Sequence, residues 1–218
     1  IYCPTQEGMP KSYLDDEPAV MRAKMANFDP YLQTKRRLKQ LKIIGHSTEK
    51  TELIVMGGTF SVLPKSYQVN FIAQCFKAAN EFPKNIKTTT TTIKTLKLLQ
   101  HANETAKNRI IGITLETRPD QITKKEIKWM RKLGATRVEI GVQSIYDNIL
   151  KKVKRGHGIK ETIKATKLLK DAGFKICYHI MPNLPGSTLK KDLNMFKTIF
   201  TDEKYMPDMI KIYPCVVT

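Results

Sequence analysis

Short apolar runs alternate with amphipathic stretches from residue 50 almost to the last residue of the chain. The runs with the length and composition of buried strands are residues 51–56, 110–116, 136–142, 174–181 and 209–217. Apolar side chains recur at helical spacing in residues 65–82, 123–133, 159–169 and 189–200. Strands that alternate with helices in this way predict right-handed crossovers and a parallel sheet.

Before this series, two further helices are predicted at residues 17–26 and 31–44. They are separated at Asp29-Pro30, because the residue before a proline avoids the helical conformation. The Thr-rich residues 88–92 indicate a loop or linker. Thr123 followed by Glu126 has the spacing of a capping box at a helix start.

A β/α series of this kind curls into a partial barrel if one more strand precedes Ile1 and brings the count to six. The periodicity alone leaves an open doubly wound sheet as the alternative. In a barrel the chemistry lies at the carboxyl ends of the strands. Those predicted ends are polar or rich in Gly and Pro: Gly57-Gly58, Glu116-Thr117-Arg118, Gln143-Ser144, Met181-Pro182-Asn183 and Tyr213-Pro214.

The strand period of two assigns side chains to faces. In residues 137–143 it places Glu139, Gly141 and Gln143 on the face opposite the Val and Ile side chains, and Glu116 and Arg118 share a face of their own strand. An inward carboxylate must be paired or must bind a ligand. We therefore expect either a ligand site or an internal ion-pair network among Glu116, Arg118, Arg137 and Glu139.

The amino-acid composition predicts which class of partner the protein binds and in which cellular compartment it lies. The 218 residues suffice for one sizeable core, and 38 Lys and Arg against 20 Asp and Glu give a net charge of +18, which favours a nucleic-acid partner. No apolar run approaches the roughly 20 residues that span a bilayer, so no membrane partner is expected. Four widely separated cysteines indicate reduced thiols and a cytoplasmic protein.

Basic residues cluster at several places. Lys35, Arg36 and Lys39 share a predicted helix, and Lys154 and Arg155 follow the strand that ends at Gln143. Both clusters are candidate contacts to phosphate, with solvated surface as the alternative. His157 and His179 fit structural roles better than site roles.

Cys3 precedes a proline and a polar loop instead of lying in an apolar face. Three thiolates from one loop can hold three irons of a 4Fe–4S cluster and leave the fourth iron open. Cys3 would be the last of such a trio. The alternative is a small buried apolar residue.

Several blocks of the chain together resemble the catalytic subunit of Elongator. Residues 116–120 are Glu-Thr-Arg-Pro-Asp, residues 138–144 are Val-Glu-Ile-Gly-Val-Gln-Ser, and residues 179–185 are His-Ile-Met-Pro-Asn-Leu-Pro. The other matching blocks are residues 29–34, 41–46, 55–60, 155–157, 170–174 and 211–214. Gly-Val-Gln-Ser is shared with many radical S-adenosylmethionine (SAM) enzymes, whereas the whole ordered set is specific to the tRNA wobble-uridine acetyltransferase (carboxymethyluridine synthase) family.

The resemblance implies an α/β fold, a partial TIM-like (β/α)6 radical SAM barrel that occupies residues 1–218. The first strand, part of the cluster loop, an N-terminal tRNA-binding segment and a C-terminal acetyltransferase domain are expected outside this sequence. Cys3 matches the third cysteine of the family motif C-x9-C-x2-C, so these 218 residues alone are expected to be inactive and without a cluster. Thr5-Gln6-Glu7-Gly8 stands where the family commonly has Gly-Gly after Cys-Pro, which alters the loop around the cluster.

The resemblance also implies roles for individual residues. Gly57 and Gly58 would meet the SAM amino group, and Glu116, Gln143 and Ser144 its carboxylate or ribose. The strands that carry Ile180, Met181 and Tyr213 would flank the adenine. Lys50 would contact acetyl-CoA. Because the family acts on tRNA, the basic clusters described above become the candidate tRNA contacts on the ground of their charge: Lys35, Arg36, Lys39, Lys154 and Arg155.

In the family's chemistry, the reduced cluster cleaves SAM to a 5′-deoxyadenosyl radical, which takes a hydrogen from the acetyl methyl group of acetyl-CoA. The carbon radical then adds to C5 of the wobble uridine. The implied partners are tRNA, acetyl-CoA, and either other Elongator-like subunits or a second copy in a homodimer. The alternatives are another radical SAM activity, such as methylthiolation or porphyrin oxidation, and a non-catalytic tRNA-binding scaffold.

Overall fold

The computed structural model of the chain describes residues 6–9, 12–83 and 92–215. The expected cluster ligand Cys3, most of the Thr-rich stretch and residues 216–217 of the last predicted strand lie outside these ranges. The strands are β1 (Lys50–Val55), β2 (Arg109–Thr117), β3 (Arg137–Gln143), β4 (Lys175–Ile180) and β5 (Met209–Ile212). The helices are α1 (Pro18–Met25), α2 (Pro30–Ile43), α3 (Lys65–Glu81), α4 (Ile93–Asn103), α5 (Lys124–Leu133), α6 (Asp147–Lys152), α7 (Ile159–Asp171) and α8 (Leu189–Thr201).

The predicted elements are confirmed, with most ends shifted by one or two residues. The exceptions are β5, which ends at Ile212, well before the predicted end, and the helices α4 and α6, which were not predicted. None of the helices among the described residues is long and apolar enough to cross a membrane.

All five strands are parallel and follow one another in the sheet in the order β1-β2-β3-β4-β5. Every crossover therefore moves in the same direction, as in a barrel, whereas a doubly wound sheet reverses direction after its first half. The sheet is a half-barrel with helices outside. This confirms the partial TIM-like fold, while a sixth strand before Ile1 stays a prediction.

The core lies between the convex face of the sheet and the helices. Val138, Ile140 and Val142 of β3 are completely buried there, and Ile176 and Tyr178 of β4 lie beside them. Each such side chain stabilises the fold by about 1.5–3 kcal/mol relative to exposure. This apolar layer fixes the concave face of the same strands as the inside of the half-barrel, called the lumen below.

The helix starts follow local chemistry. Asp29 caps α2 by accepting the Leu32 N–H at 2.8 Å, and Pro30 stands at the first helical position, which explains the predicted break. Thr123 caps α5 by accepting the Glu126 N–H at 3.1 Å. The Glu126 carboxylate contacts Lys65 at 2.7 Å, so of the predicted capping box only the Thr123 half is seen.

Candidate active site

The carboxyl ends of the five parallel strands lie along one edge of the half-barrel, called the mouth below. Glu116, near the end of β2, accepts hydrogen bonds at one carboxylate oxygen from the Tyr13 hydroxyl at 2.8 Å and from the Gly58 N–H at 3.4 Å. Burial, followed by the charge of Glu116, raises the pKa of Tyr13, so its hydroxyl stays a donor. The segment before α1 thus closes against the ends of β1 and β2.

Gly57 and Gly58 follow β1 with φ angles of 145° and 77°, which side chains of L-residues rarely adopt. A Cβ added at Gly57 would meet no atom within 4 Å. The glycine is therefore required by the backbone conformation and not by crowding. That conformation turns the Gly58 N–H toward Glu116 and leaves open space beside the backbone.

A buried charge network fills the lumen below the mouth. One Glu139 oxygen accepts from His179 Nε2 at 2.7 Å and from Lys211 Nζ at 2.6 Å, and Glu139 is only 2% exposed. Burial alone would raise the pKa of Glu139, but the hydrogen bonds from His179 and Lys211 outweigh it and lower that pKa to about 2. Glu139 is therefore ionised at neutral pH.

The network extends in both directions from Glu139. Toward the mouth, His179 Nδ1 lies 3.7 Å from the second oxygen of Glu116, and the His179 ring centroid lies 5.3 Å from that of Tyr213. Away from the mouth, Arg137 lies 3.9 Å from Glu139 and 3.1 Å from Glu52. Carboxylates and basic side chains thus alternate through the lumen.

The predicted ion-pair network is thus confirmed in part. Arg137 and Glu139 are members, and Glu116 joins them through His179. Arg118 was placed wrongly, because its Nε pairs with Asp120 at 2.9 Å across a short turn. Two further members are His179, for which the sequence favours a structural role, and Lys211, for which it predicts no role.

Glu139, Cys177 and His179 place one oxygen, sulfur and nitrogen atom within 4.8 Å of one another, as metal ligands would lie. The Lys211 ammonium already supplies the positive charge that Glu139 needs. Burial, with the charge of Glu139, also raises the pKa of the Cys177 thiol to about 11, whereas a metal requires the thiolate. The arrangement fits an ion-pair network better than a metal centre.

The residues expected to contact SAM lie at the mouth to different degrees. Gly57, Gly58, Glu116 and Tyr213 are brought together there. Gln143, which adopts φ 69° at the end of β3, is 8% exposed and its Oε1 has no hydrogen-bond partner within the described part of the chain. A buried acceptor without a partner is a point where a ligand donor can bind.

Three other expected SAM contacts have partners elsewhere. The Ser144 hydroxyl accepts the Tyr146 N–H at 3.3 Å. The Ile180 side chain is completely buried in the core on the convex face, and Met181 packs on a small cluster that includes Leu184 and Cys215. The Ile180 side chain therefore points away from the lumen.

Lys50 is the first residue of β1, beside Arg109 at the start of β2. With a rise of about 3.3 Å per residue, it lies some 17 Å along the strand from the end at Val55. It is exposed at the edge opposite the mouth. A ligand that contacts Lys50 therefore lies outside the mouth or spans the length of the strand.

The expected tRNA contacts also separate into two groups. Lys39 and Lys154 are exposed, while Lys35 stacks on Tyr31 and Arg36 donates to the Met25 carbonyl. Arg155 donates to the Gly141 carbonyl at 2.8 Å and to His157 at 3.1 Å, which fixes the loop after α6 over β3. A cavity of about 480 Å³ beside this loop is lined by Lys151, Lys154, Arg155 and His157 among others.

The chain is similar to proteins of known name over its whole length. It is 53% identical over 222 residues to a tRNA uridine(34) acetyltransferase of Methanocaldococcus infernus, covering 100% of this chain and 40% of the relative. It is 40% identical over 222 residues to Elongator complex protein 3 of Bos taurus, covering 100% of this chain and 39% of the relative. The chain thus spans about two fifths of the length of these relatives.

A solved structure agrees with these relatives. The archaeal Methanocaldococcus infernus Elp3 with an N-terminal deletion superposes with a TM-score of 0.82 at 54% identity, covering 89% of this chain and 44% of that one. The resemblance found in the sequence is thereby confirmed. The family model described as the radical SAM superfamily matches residues 1–199. The half-barrel, its polar mouth and this match together show that the chain belongs to the radical SAM superfamily.

Proposed function

We propose that the protein is a radical SAM enzyme that modifies tRNA at the wobble uridine, a tRNA uridine(34) acetyltransferase. The observation that carries the proposal is 53% identity, across the full 222-residue alignment, to a relative with that name. The meeting of Gly58, Glu116, His179 and Tyr213 at one mouth supports it, because the chemistry of a β/α barrel lies at that edge.

The groups at the mouth that support SAM as the ligand match its ammonium, its ribose and its base. SAM carries an ammonium, a carboxylate, two ribose hydroxyls and a planar base. The Glu116 carboxylate suits the ammonium, the Gln143 oxygen without a partner suits a hydroxyl, and Tyr213 offers a half-exposed ring to the base. We propose Gly57, Gly58, Glu116, Gln143 and Tyr213 as SAM contacts through their side chains or backbone, and Ser144, Ile180 and Met181 through the backbone next to them.

We further propose that Cys3 holds a 4Fe–4S cluster together with two cysteines that precede Ile1 in the protein. When bound, the cluster and SAM would supply the radical chemistry that activates the acetyl group of acetyl-CoA for addition to uridine C5. The residues of the mouth orient SAM and shield it from water, which protects a reactive species. In the same proposal Lys50 contacts acetyl-CoA at the opposite edge of the sheet.

The net charge of +18 favours a polyanionic substrate such as tRNA. We propose Lys154, near the mouth, and Lys35, Arg36 and Lys39 on α2 as phosphate contacts, with Arg155 holding the loop that carries Lys154. A cytoplasmic location and the assembly state, with Elongator-like subunits or as a homodimer, remain predictions. The shared name of the relatives favours acetyl transfer over methylthiolation or porphyrin oxidation.

The test is anaerobic reconstitution of the full-length protein with iron and sulfide, followed by electron paramagnetic resonance with and without SAM. We expect a 4Fe–4S signal that changes when SAM is added, and 5′-deoxyadenosine that forms under reducing conditions. Cys3→Ala should abolish both. Cys75→Ala, a substitution of the same type at a buried thiol in α3, should retain both.

SAM cleavage that survives Cys3→Ala would contradict the assignment of Cys3. A wild-type protein that binds tRNA but forms no cluster would instead support the non-catalytic scaffold. Acetyl transfer is tested separately, by incubating the reconstituted protein with acetyl-CoA and tRNA and analysing the digested nucleosides by mass spectrometry. No mass change at the wobble uridine would contradict the proposed reaction.

A further inference from the structure

We propose that His179 is a positioning residue of the mouth. The buried Glu139–Lys211 pair holds the His179 ring, and the ring in turn limits where the side chains of Glu116 and Tyr213 can lie. Only the identity of the ligand, SAM, rests on the proposed function. The positions of Glu116 and Tyr213 are properties of the protein alone.

The lower side of His179 is firmly held. Its Nε2 lies 2.7 Å from a carboxylate that is ionised and can only accept, so Nε2 carries a proton and donates it. The same Glu139 oxygen is fixed by Lys211 Nζ at 2.6 Å. His179 is only 7% exposed, so the ring cannot turn without breaking this bond.

The upper side of His179 faces the mouth. Since Nε2 points down to Glu139, Nδ1 points to Glu116, whose nearer oxygen lies 3.7 Å away. The other Glu116 oxygen is held by Tyr13 and Gly58, so His179 defines the remaining side of the carboxylate. At this separation, which is longer than a hydrogen bond, the His179 ring limits the free Glu116 oxygen by packing, while Tyr13 and Gly58 hold the other oxygen by hydrogen bonds.

Tyr213 depends on His179 in a different way. Its backbone N–H is fixed by the Ile180 carbonyl at 2.9 Å, but its side chain is 42% exposed. The His179 ring, 5.3 Å away between centroids and tilted by 58°, is an aromatic contact against which the Tyr213 ring can rest. His179 thus supports both a carboxylate and an aromatic face.

Together these two groups suit a ligand that joins a cationic amine to a planar base. SAM has that chemistry. A positioning role predicts weaker SAM binding when His179 is changed, even where the fold is intact. A purely structural role predicts lower stability and an unchanged mouth.

Two variants separate the two contacts of the ring. His179→Gln can still donate to Glu139 but has no ring beside Tyr213. His179→Phe keeps a ring beside Tyr213 but donates no hydrogen bond, and the Glu139–Lys211 pair is expected to keep the lumen charge balanced. His101→Gln is the matched control, because that side chain is 83% exposed on α4.

The first measurement is the crystal structure of each variant without ligand. We expect the Tyr213 ring to turn away in His179→Gln, and the Glu116 oxygen that Tyr13 and Gly58 do not hold to shift in His179→Phe. Glu116 and Tyr213 at their present positions in both variants would overturn the proposal, whether or not the protein binds SAM.

The second measurement is the dissociation constant for SAM of the reconstituted full-length protein, determined by equilibrium dialysis. We expect each His179 variant to bind SAM at least tenfold more weakly, and His101→Gln to bind it as the wild type does. Equal affinity in the His179 variants and the wild type would refute the positioning role. A wild type that does not bind SAM would refute the proposed function, and the crystal structures would still decide the role of His179.

Discussion

The two faces of β3 show how differently the convex side and the lumen of the half-barrel are organised. On the convex side, Val138, Ile140 and Val142 are completely buried against helices, and any apolar side chain of similar volume would serve. On the lumen side, Glu139 is almost as buried but needs particular partners from two other strands. The convex face therefore determines the fold, and the lumen face determines which groups reach the mouth.

The energetics of the two faces differ as well. Apolar burial adds free energy roughly in proportion to area, residue by residue. The lumen pairs gain Coulomb energy but lose hydration, so their net contribution to the free energy of unfolding is small while all partners are present. Removal of one partner leaves a buried charge uncompensated and is strongly destabilising.

The largest expected effects come from two neighbouring residues on opposite faces. Ile140→Ala should lower the free energy of unfolding by about 3 kcal/mol, equally at pH 7 and pH 4, because no titrating group is involved. Glu139→Gln should lower it by about 2 kcal/mol at pH 7, because the half-buried Lys211 ammonium loses its carboxylate partner. Urea unfolding measures both values.

The pH dependence sharpens this contrast. The pKa of Glu139 is lowered from 4.5 to about 2 by folding, so the ionised carboxylate stabilises the fold above pH 4.5 and that stability is lost as the pH falls toward 2. The difference between wild type and Glu139→Gln should therefore shrink below pH 4.5. A difference that stays constant down to pH 3 would contradict the lumen pairing.

An intermediate effect is expected at Gly141, a lumen-facing glycine of β3. A Cβ at this position would collide with the Arg155 guanidinium that binds the Gly141 carbonyl. Gly141→Ala should destabilise the fold by about 1–2 kcal/mol and displace the loop after α6, as a crystal structure would show. Gly112→Ala in β2 is the control, because a Cβ there would lie 3.3 Å from the nearest atom. This variant should lose less than half as much free energy of unfolding as Gly141→Ala. Equal destabilisation in the two variants would show that the position of the Arg155 guanidinium does not require a glycine at residue 141.

The smallest effect is expected for an ion pair outside both faces. Lys167 and Asp171 on α7 form a pair of 3.0 Å, but their side chains are 75% and 59% exposed. Lys167→Met should change the free energy of unfolding by at most about 0.5 kcal/mol, and less in high salt. A loss as large as that of Glu139→Gln would remove the distinction between lumen pairs and surface pairs.

The convex face could be predicted from the sequence because its signal is local. Alternation in residues 137–143 gave both the strand and its buried side, and the same pattern located the other strands. The helix α6 has only six residues, too few for helical periodicity to be visible. The helix α4 begins at Ile93, directly after the predicted loop at residues 88–92, and no helix or strand is predicted from the sequence for residues 93–103.

The lumen could be predicted only in part, because its partners lie far apart in the chain. Glu139 and Lys211 are 72 residues apart, and Glu139 and His179 are 40 apart. Alternation in β4 places Cys177 and His179 opposite Ile176 and Tyr178, and this signal would have assigned His179 to the lumen. Similarly, the direction of β1, which begins at Lys50 and ends just before Gly57, would have placed Lys50 at the edge of the sheet opposite Gly57.

Three of the lumen contacts bypass the strand that lies between their partners. Glu52 of β1 meets Arg137 of β3, Glu116 of β2 meets His179 of β4, and Glu139 of β3 meets Lys211 of β5. Alternate strands of a sheet are about 9.6 Å apart, and the long side chains of these residues bridge that distance on the concave side. Each contact therefore ties together two strands that share no backbone hydrogen bonds, in addition to the ladders that join each strand to its neighbours.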